Sequence, residues 1–146
     1  MKKLVSIGAA AAVAALALAA LSAAGTRTVM GVTAALTAKE EVPAQVVKNT
    51  KAHGQFTGRL NGGKLTWTLT FAGLTGQATA AHIHLGGMGK SGNVVVPLCG
   101  PCKSPVKGTA TLSKALLQDL KTHKLYVNVH TKKNPNGEIR GQLAEH

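Results

Sequence analysis

Two histidines stand two residues apart in Ala81-His82-Ile83-His84-Leu85, and a third lies in Tyr126-Val127-Asn128-Val129-His130-Thr131. Both runs alternate polar with apolar residues, the period of a half-buried strand. On a strand His82 and His84 leave the same face, with Cα atoms roughly 6.5–7 Å apart. At that spacing both rings can reach one metal ion. His130, from an adjacent strand, would complete a three-nitrogen set suited to zinc or copper.

The strand phases bring further polar residues to these rings. Tyr126, Asn128 and His130 share one face of the second run, and Val127 and Val129 share the other. The closing segment, Glu138 to Leu143, follows the dense turn signal Asn134-Pro135-Asn136-Gly137 and should pair back as a hairpin. Ile139 and Leu143 must then join the valine face, which puts Glu138, Arg140 and Gln142 on the face of Asn128 and His130. The expected polar cluster is His82, His84, Asn128, His130, Glu138 and Arg140, with Glu41 as a further member. Arg140 opposes a simple cation site unless Glu138 or Glu41 neutralises it, and favours instead an anion, or an anionic substrate next to a metal. Without any metal, the same residues would serve as a hydrogen-bonded lattice on the outer face that fixes sheet register. His53, His123 and His146 lack such neighbours and read as surface residues.

Cys99-Gly100-Pro101-Cys102 has the spacing of a thiol–disulfide active site. That chemistry needs the first cysteine at a helix N-terminus, where the dipole stabilises its thiolate. Here the motif ends a strand, and Pro105 follows too soon for a helix. A structural Cys99–Cys102 disulfide is the better reading, with redox activity or metal ligation as alternatives. The glycine-rich stretch Gly86–Gly92 precedes a strand and does not have the order of a phosphate-binding loop. No Gly-x-Ser-x-Gly nucleophile occurs, and five acidic residues leave little room for a paired-carboxylate hydrolase.

These residues must be positioned by strands. Strands are expected at Val32–Thr37, His53–Leu60, Leu65–Phe71, Thr79–Leu85, Asn93–Leu98, Val106–Leu112, Leu125–Thr131 and Glu138–Leu143. The clearest sets Leu65, Trp67, Leu69 and Phe71 against Thr66, Thr68 and Thr70. One helix fits, capped by Ser113 and running to Lys121 with Leu116, Leu117 and Leu120 at helical spacing. About eight short strands with one helix predict an all-β, antiparallel, Greek-key-like β-sandwich.

The chain of 146 residues holds one such domain plus an appendage. Lys2 and Lys3, an apolar run from Leu4 to Leu21, and Ser22-Ala23-Ala24 have the three-part form of a secretory signal peptide over residues 1–24. Residues 25–31 read as a linker and 32–146 as the domain. An uncleaved anchor is the alternative, since the apolar run is at the lower limit of a membrane span. No membrane span is expected in the mature protein. Without the leader, 15 basic residues face 5 acidic ones, a net charge of +10. An exported protein this basic should be drawn to an anionic cell-surface polymer, or to an extracellular protein. Nucleic acid is not expected, because Phe56, Trp67, Phe71 and Tyr126 are the aromatic residues and alternation buries at least three of them.

Four stretches carry a family resemblance: Leu36 to Pro43 (LTAKEEVP), Gly73 to His84 (GLTGQATAAHIH), Tyr126 to Thr131 (YVNVHT) and Asn134 to Leu143 (NPNGEIRGQL). In this order and over nearly the whole mature chain they resemble the CHRD domain, the module repeated in chordin and found singly in microbial secreted proteins. The resemblance implies an extracellular β-sandwich module whose activity is poorly defined, and the first reading of this chain is a binding or structural module at the cell surface, not an enzyme. A second reading is a copper/zinc oxidoreductase of superoxide-dismutase type, which also sets His-x-His on a sandwich strand with an arginine to guide the anion. Against it, the only aspartate, Asp119, falls in the expected helix. A thiol–disulfide protein using Cys99 and Cys102 is the third.

Overall fold

The computed structural model describes residues 28–43 and 50–146. The expected signal peptide and its cleavage site lie outside the described residues. Nine antiparallel strands and one helix follow in order: β1 (Val29–Thr37), a 3-10 turn (Ala38–Glu40), β2 (His53–Asn61), β3 (Lys64–Ala72), β4 (Ala78–Leu85), β5 (Val94–Cys99), β6 (Val106–Thr111), α1 (Lys114–Lys121), β7 (Leu125–Thr131), β8 (Ile139–Gln142) and β9 (Ala144–Glu145). The all-β architecture with a single helix is as the alternation predicts. Helix α1 starts where Ser113 accepts a hydrogen bond from the Leu116 N–H, at 3.2 Å.

The strands run in the order β5-β4-β7-β8-β1-β2-β3-β6, with β9 beside β1. One half, β5-β4-β7-β8, meets the other, β1-β2-β3-β6, through Thr37–Arg140 and, in the same register, through the β9 pairs Thr33–Ala144 and Val32–Glu145. The halves face each other as a sandwich, and β6 returns beside β3 after the β4–β5 hairpin of the opposite half, a Greek-key crossover. Alternate side chains fill the space between them: Val32, Leu36, Phe56, Leu65, Leu69, Ile83, Val127, Val129 and Ile139 are all at most 1 % exposed. Phe56 stacks on Trp67 with ring centroids 6.0 Å apart. At the crossing of β8 over β1 no side chain fits. A Cβ on Gly141 would strike the Ala35 carbonyl oxygen and lie 3.2 Å from Leu36 Cγ.

Two expectations need correction. Residues 29–31, read as linker, belong to β1, because the chain's last residues supply a partner there: Gly31 and His146 exchange two backbone hydrogen bonds of 2.9 Å. His146 is exposed, as expected of a surface residue, and lays its ring on Gly31. The polar face of β7 is not an outer face either. All seven β7 residues are buried, so this strand is covered on both sides. The cover is made by the 3-10 turn with Glu41, the Gly86–Gly92 loop and the turn through Pro135.

Candidate metal centre

Antiparallel pairing sets His82 opposite Asn128, His84 opposite Tyr126 and Ala80 opposite His130. His130 is therefore diagonal to His82, and the three imidazoles form a triangle. Ring centroids are 5.5 Å apart for His82–His84, 5.0 Å for His82–His130 and 5.7 Å for His84–His130. One ring nitrogen from each lies within 4.8 Å of the other two. His82 Nδ1 and His130 Nε2 are already 3.2 Å apart.

Backbone carbonyls decide which nitrogens are free. His84 Nδ1 is 2.9 Å from the Gly92 oxygen and His130 Nδ1 is 3.0 Å from the Pro135 oxygen. A carbonyl only accepts, so each Nδ1 carries the proton and each Nε2 keeps its lone pair. This orientation through a carbonyl on the far nitrogen is how metal-binding histidines are commonly held. His84 Nε2 is buried with no hydrogen-bond partner among the described residues. A buried lone pair without a donor is costly, and a bound cation relieves it.

Charge agrees with geometry. Burial, then the neighbouring His82, pushes His130 down to about 4, the latter against the Pro135 hydrogen bond. Burial and the proximity of His84 lower His82. Burial and the Arg140 charge lower His84, against its bond to Gly92. All three rings are neutral at neutral pH, the state that coordinates a metal. Tyr126 stacks on His84 with centroids 5.0 Å apart and planes 12° from parallel, and the Arg140 guanidinium sits 3.5 Å over the Tyr126 ring.

The expected cluster divides into three groups. His82, His84 and His130 form the triad between β4 and β7. Glu41, Asn128 and Arg140 form a second group toward β8, where Asn128 Nδ2 donates to Glu41 Oε2 at 3.1 Å. Gly137, at φ +130°, lets these side chains close up: a Cβ there would meet Asn128 Nδ2 and Glu41 Oε2 at 2.6 Å. Burial raises Glu41 to about 7, against the Asn128 hydrogen bond and the Arg140 charge. Arg140 is 2 % exposed and donates to the Gly87 oxygen at 2.9 Å, so it guides no solvent anion. That removes the feature on which the dismutase comparison leaned. Asp119 lies in α1, as expected.

Glu138 makes the third group and does not join the others. It precedes β8, outside strand alternation, and turns toward the β3–β4 connection. Its carboxylate accepts from Thr75 N at 2.6 Å, Thr75 Oγ1 and Thr131 Oγ1 at 2.7 Å each, and Asn134 Nδ2 at 3.0 Å. Burial works to raise its pKa, but these bonds outweigh burial and hold it below the ordinary value. Glu138 is a latch for the turn.

Gly92 and Pro135, not singled out from sequence, also build the centre through main-chain oxygens. Gln142, expected on this face, braces the loop beside it by donating from Nε2 to the Gly86, His123 and Leu125 oxygens. Cys99 and Cys102 are joined, with S–S 2.08 Å and Cα atoms 5.4 Å apart. They end β5 and stand before no helix, so the feature that activates a redox cysteine is missing.

No helix among the described residues is long and apolar enough to cross a membrane. No curated protein and no solved structure matches the chain. Residues 32–143 match the family model described as CHRD domain, the span that contains the triad, the latch and the disulfide. The chain belongs to the CHRD domain family.

Proposed function

We propose that this CHRD domain is an extracellular binding module that holds one zinc or copper ion through His82, His84 and His130. The observation that carries the reading is the pair of carbonyl-anchored rings, which leaves the Nε2 lone pairs of His84 and His130 for an ion, in a cluster where one ring nitrogen from each histidine lies within 4.8 Å of the other two. Ligand nitrogens about 2.0–2.1 Å from a tetrahedral zinc stand roughly 3.3 Å apart. His82 Nδ1 and His130 Nε2 are near that separation, and His84 offers a ring nitrogen within 4.8 Å of both residues. Three imidazoles leave a fourth position for water or a ligand atom from a partner. Buried, neutral rings between two strands make a site that is formed before the ion arrives.

Calorimetric titration of the chelator-stripped protein with zinc and with copper tests this. One ion per chain is expected, with affinity reduced at least 100-fold in His82→Ala and in His84→Ala. A His123→Ala/His146→Ala control should bind as the parent does. Absence of stoichiometric binding, or binding indifferent to His82→Ala and His84→Ala, overturns the reading.

A further inference from the structure

The outward face of β2, β3 and β6 is unlike the rest of the surface. Register places Arg59 beside Thr66 and Thr66 beside Thr109, Thr57 beside Thr68 and Thr68 beside Lys107, and Asn61 beside Lys64 and Lys64 beside Thr111. Gln55 and Thr70 extend the array. These side chains are exposed apart from the half-buried Thr68. Thr57, Gly58, Arg59, Thr66, Thr68 and the 4 %-exposed Trp67 line a shallow depression of about 250 Å³ at its middle.

Three facts restrict what this face can meet. It carries Arg59, Lys64 and Lys107 and no carboxylate, since the five acidic residues, Glu40, Glu41, Asp119, Glu138 and Glu145, lie on none of these strands. None of the exposed large hydrophobic residues, Val29, Leu85, Met88 and Val94, lies on these strands, so nothing there would enter a lipid layer. Phe56, Trp67 and Phe71 share the phase of the inward residues, leaving no ring for a nucleic-acid base to stack on. What remains is a flat lattice of hydroxyls and amides, spaced about 4.8 Å between strands and about 6.7 Å along them, set with cations.

We infer that this face binds an anionic polysaccharide. Arg59 can take a carboxylate bidentately, Lys64 and Lys107 pair with further charges along the polymer, and the threonines exchange hydrogen bonds with sugar hydroxyls. The inference rests on the extracellular placement proposed above and is independent of the metal.

The test uses the full chain expressed for export, with polygalacturonate as probe, titrated between 50 and 200 mM salt. Arg59→Gln/Lys64→Gln/Lys107→Gln should weaken binding at least 10-fold and flatten its salt dependence. Lys121→Gln/Lys132→Gln/Lys133→Gln removes the same charge elsewhere and should change binding less than 3-fold. All six positions are exposed, and unchanged urea midpoints confirm that both variants fold. Equal losses in the two variants would reduce the interaction to net charge and overturn the inference. So would binding to phosphatidylglycerol vesicles, or to single-stranded oligonucleotide, as tight as to the polysaccharide. Zinc loading should leave the result unchanged, so failure here and failure of the metal site are separate events.

Discussion

Replacing Glu138 by glutamine exchanges one oxygen for an amide and leaves the volume alone. The carboxylate accepts four hydrogen bonds, one on Oε1 from the Thr75 N–H and three on Oε2. If the new amide takes the Oε1 place, it faces the Thr75 N–H. If it takes the Oε2 place, the hydroxyls of Thr75 and Thr131 can turn to accept, but the Asn134 amide cannot. Either way one donor loses its partner, costing about 1–3 kcal/mol, and the surviving bonds lose their charge assistance. We expect Glu138→Gln to lose about 3 kcal/mol at pH 7, read from urea unfolding at constant slope. The pH dependence supplies the stronger check. Glu138 titrates below the ordinary 4.5, so its stabilisation is complete above that value and is lost as pH falls through the lower folded value. The gap between parent and variant should therefore close to under about 1 kcal/mol near pH 3. Zinc affinity should stay within 3-fold, since Glu138 is outside the triad. A loss under about 0.5 kcal/mol at pH 7, or a gap that persists into acid, would refute the latch.

Three other outcomes follow from the same interior. Glu41→Gln should stabilise the protein above pH 5, by up to about 3 kcal/mol at pH 8 in urea unfolding. The parent's carboxyl, raised from 4.5 to about 7, makes folding less favourable as pH climbs through that window. Zinc affinity should fall less than 10-fold between pH 7.5 and 6.0 in a competition titration, because all three histidines sit below 6.5; ordinary histidines would lose about 50-fold. Gly141→Ala should cost about 2–3 kcal/mol by thermal or urea unfolding, as its Cβ drives β8 off the Ala35 carbonyl.

Strand phase was legible because it needs only a two-residue period. Leu65, Trp67 and Leu69 against Thr66, Thr68 and Thr70 set β3, and the same logic put His82, His84 and His130 on one face. Phase does not say what lies on that face. The cover over β7 comes from loops whose contacts are carbonyl oxygens, and Gly92 and Pro135 offer an oxygen that any residue would offer. Glu138 could not be placed because strand alternation stops at Ile139. β9 was missed because Ala144-Glu145 has no pattern of its own and pairs only where β1 already stands.

The seam where the β8–β9 segment meets β1 sets how this molecule breathes. β8 gives it one rung, Thr37–Arg140, and β9, in the same register, adds Thr33–Ala144 and Val32–Glu145, so the ladder is interrupted between its two ends, and Arg140 anchors the β8 end while also lying on Tyr126. Within this seam, amide exchange with heavy water should therefore begin where β1 and the β8–β9 segment are not laddered. It should reach β7, closed on both sides, last. An ion held between β4 and β7 would slow that final phase and leave the first one as it was.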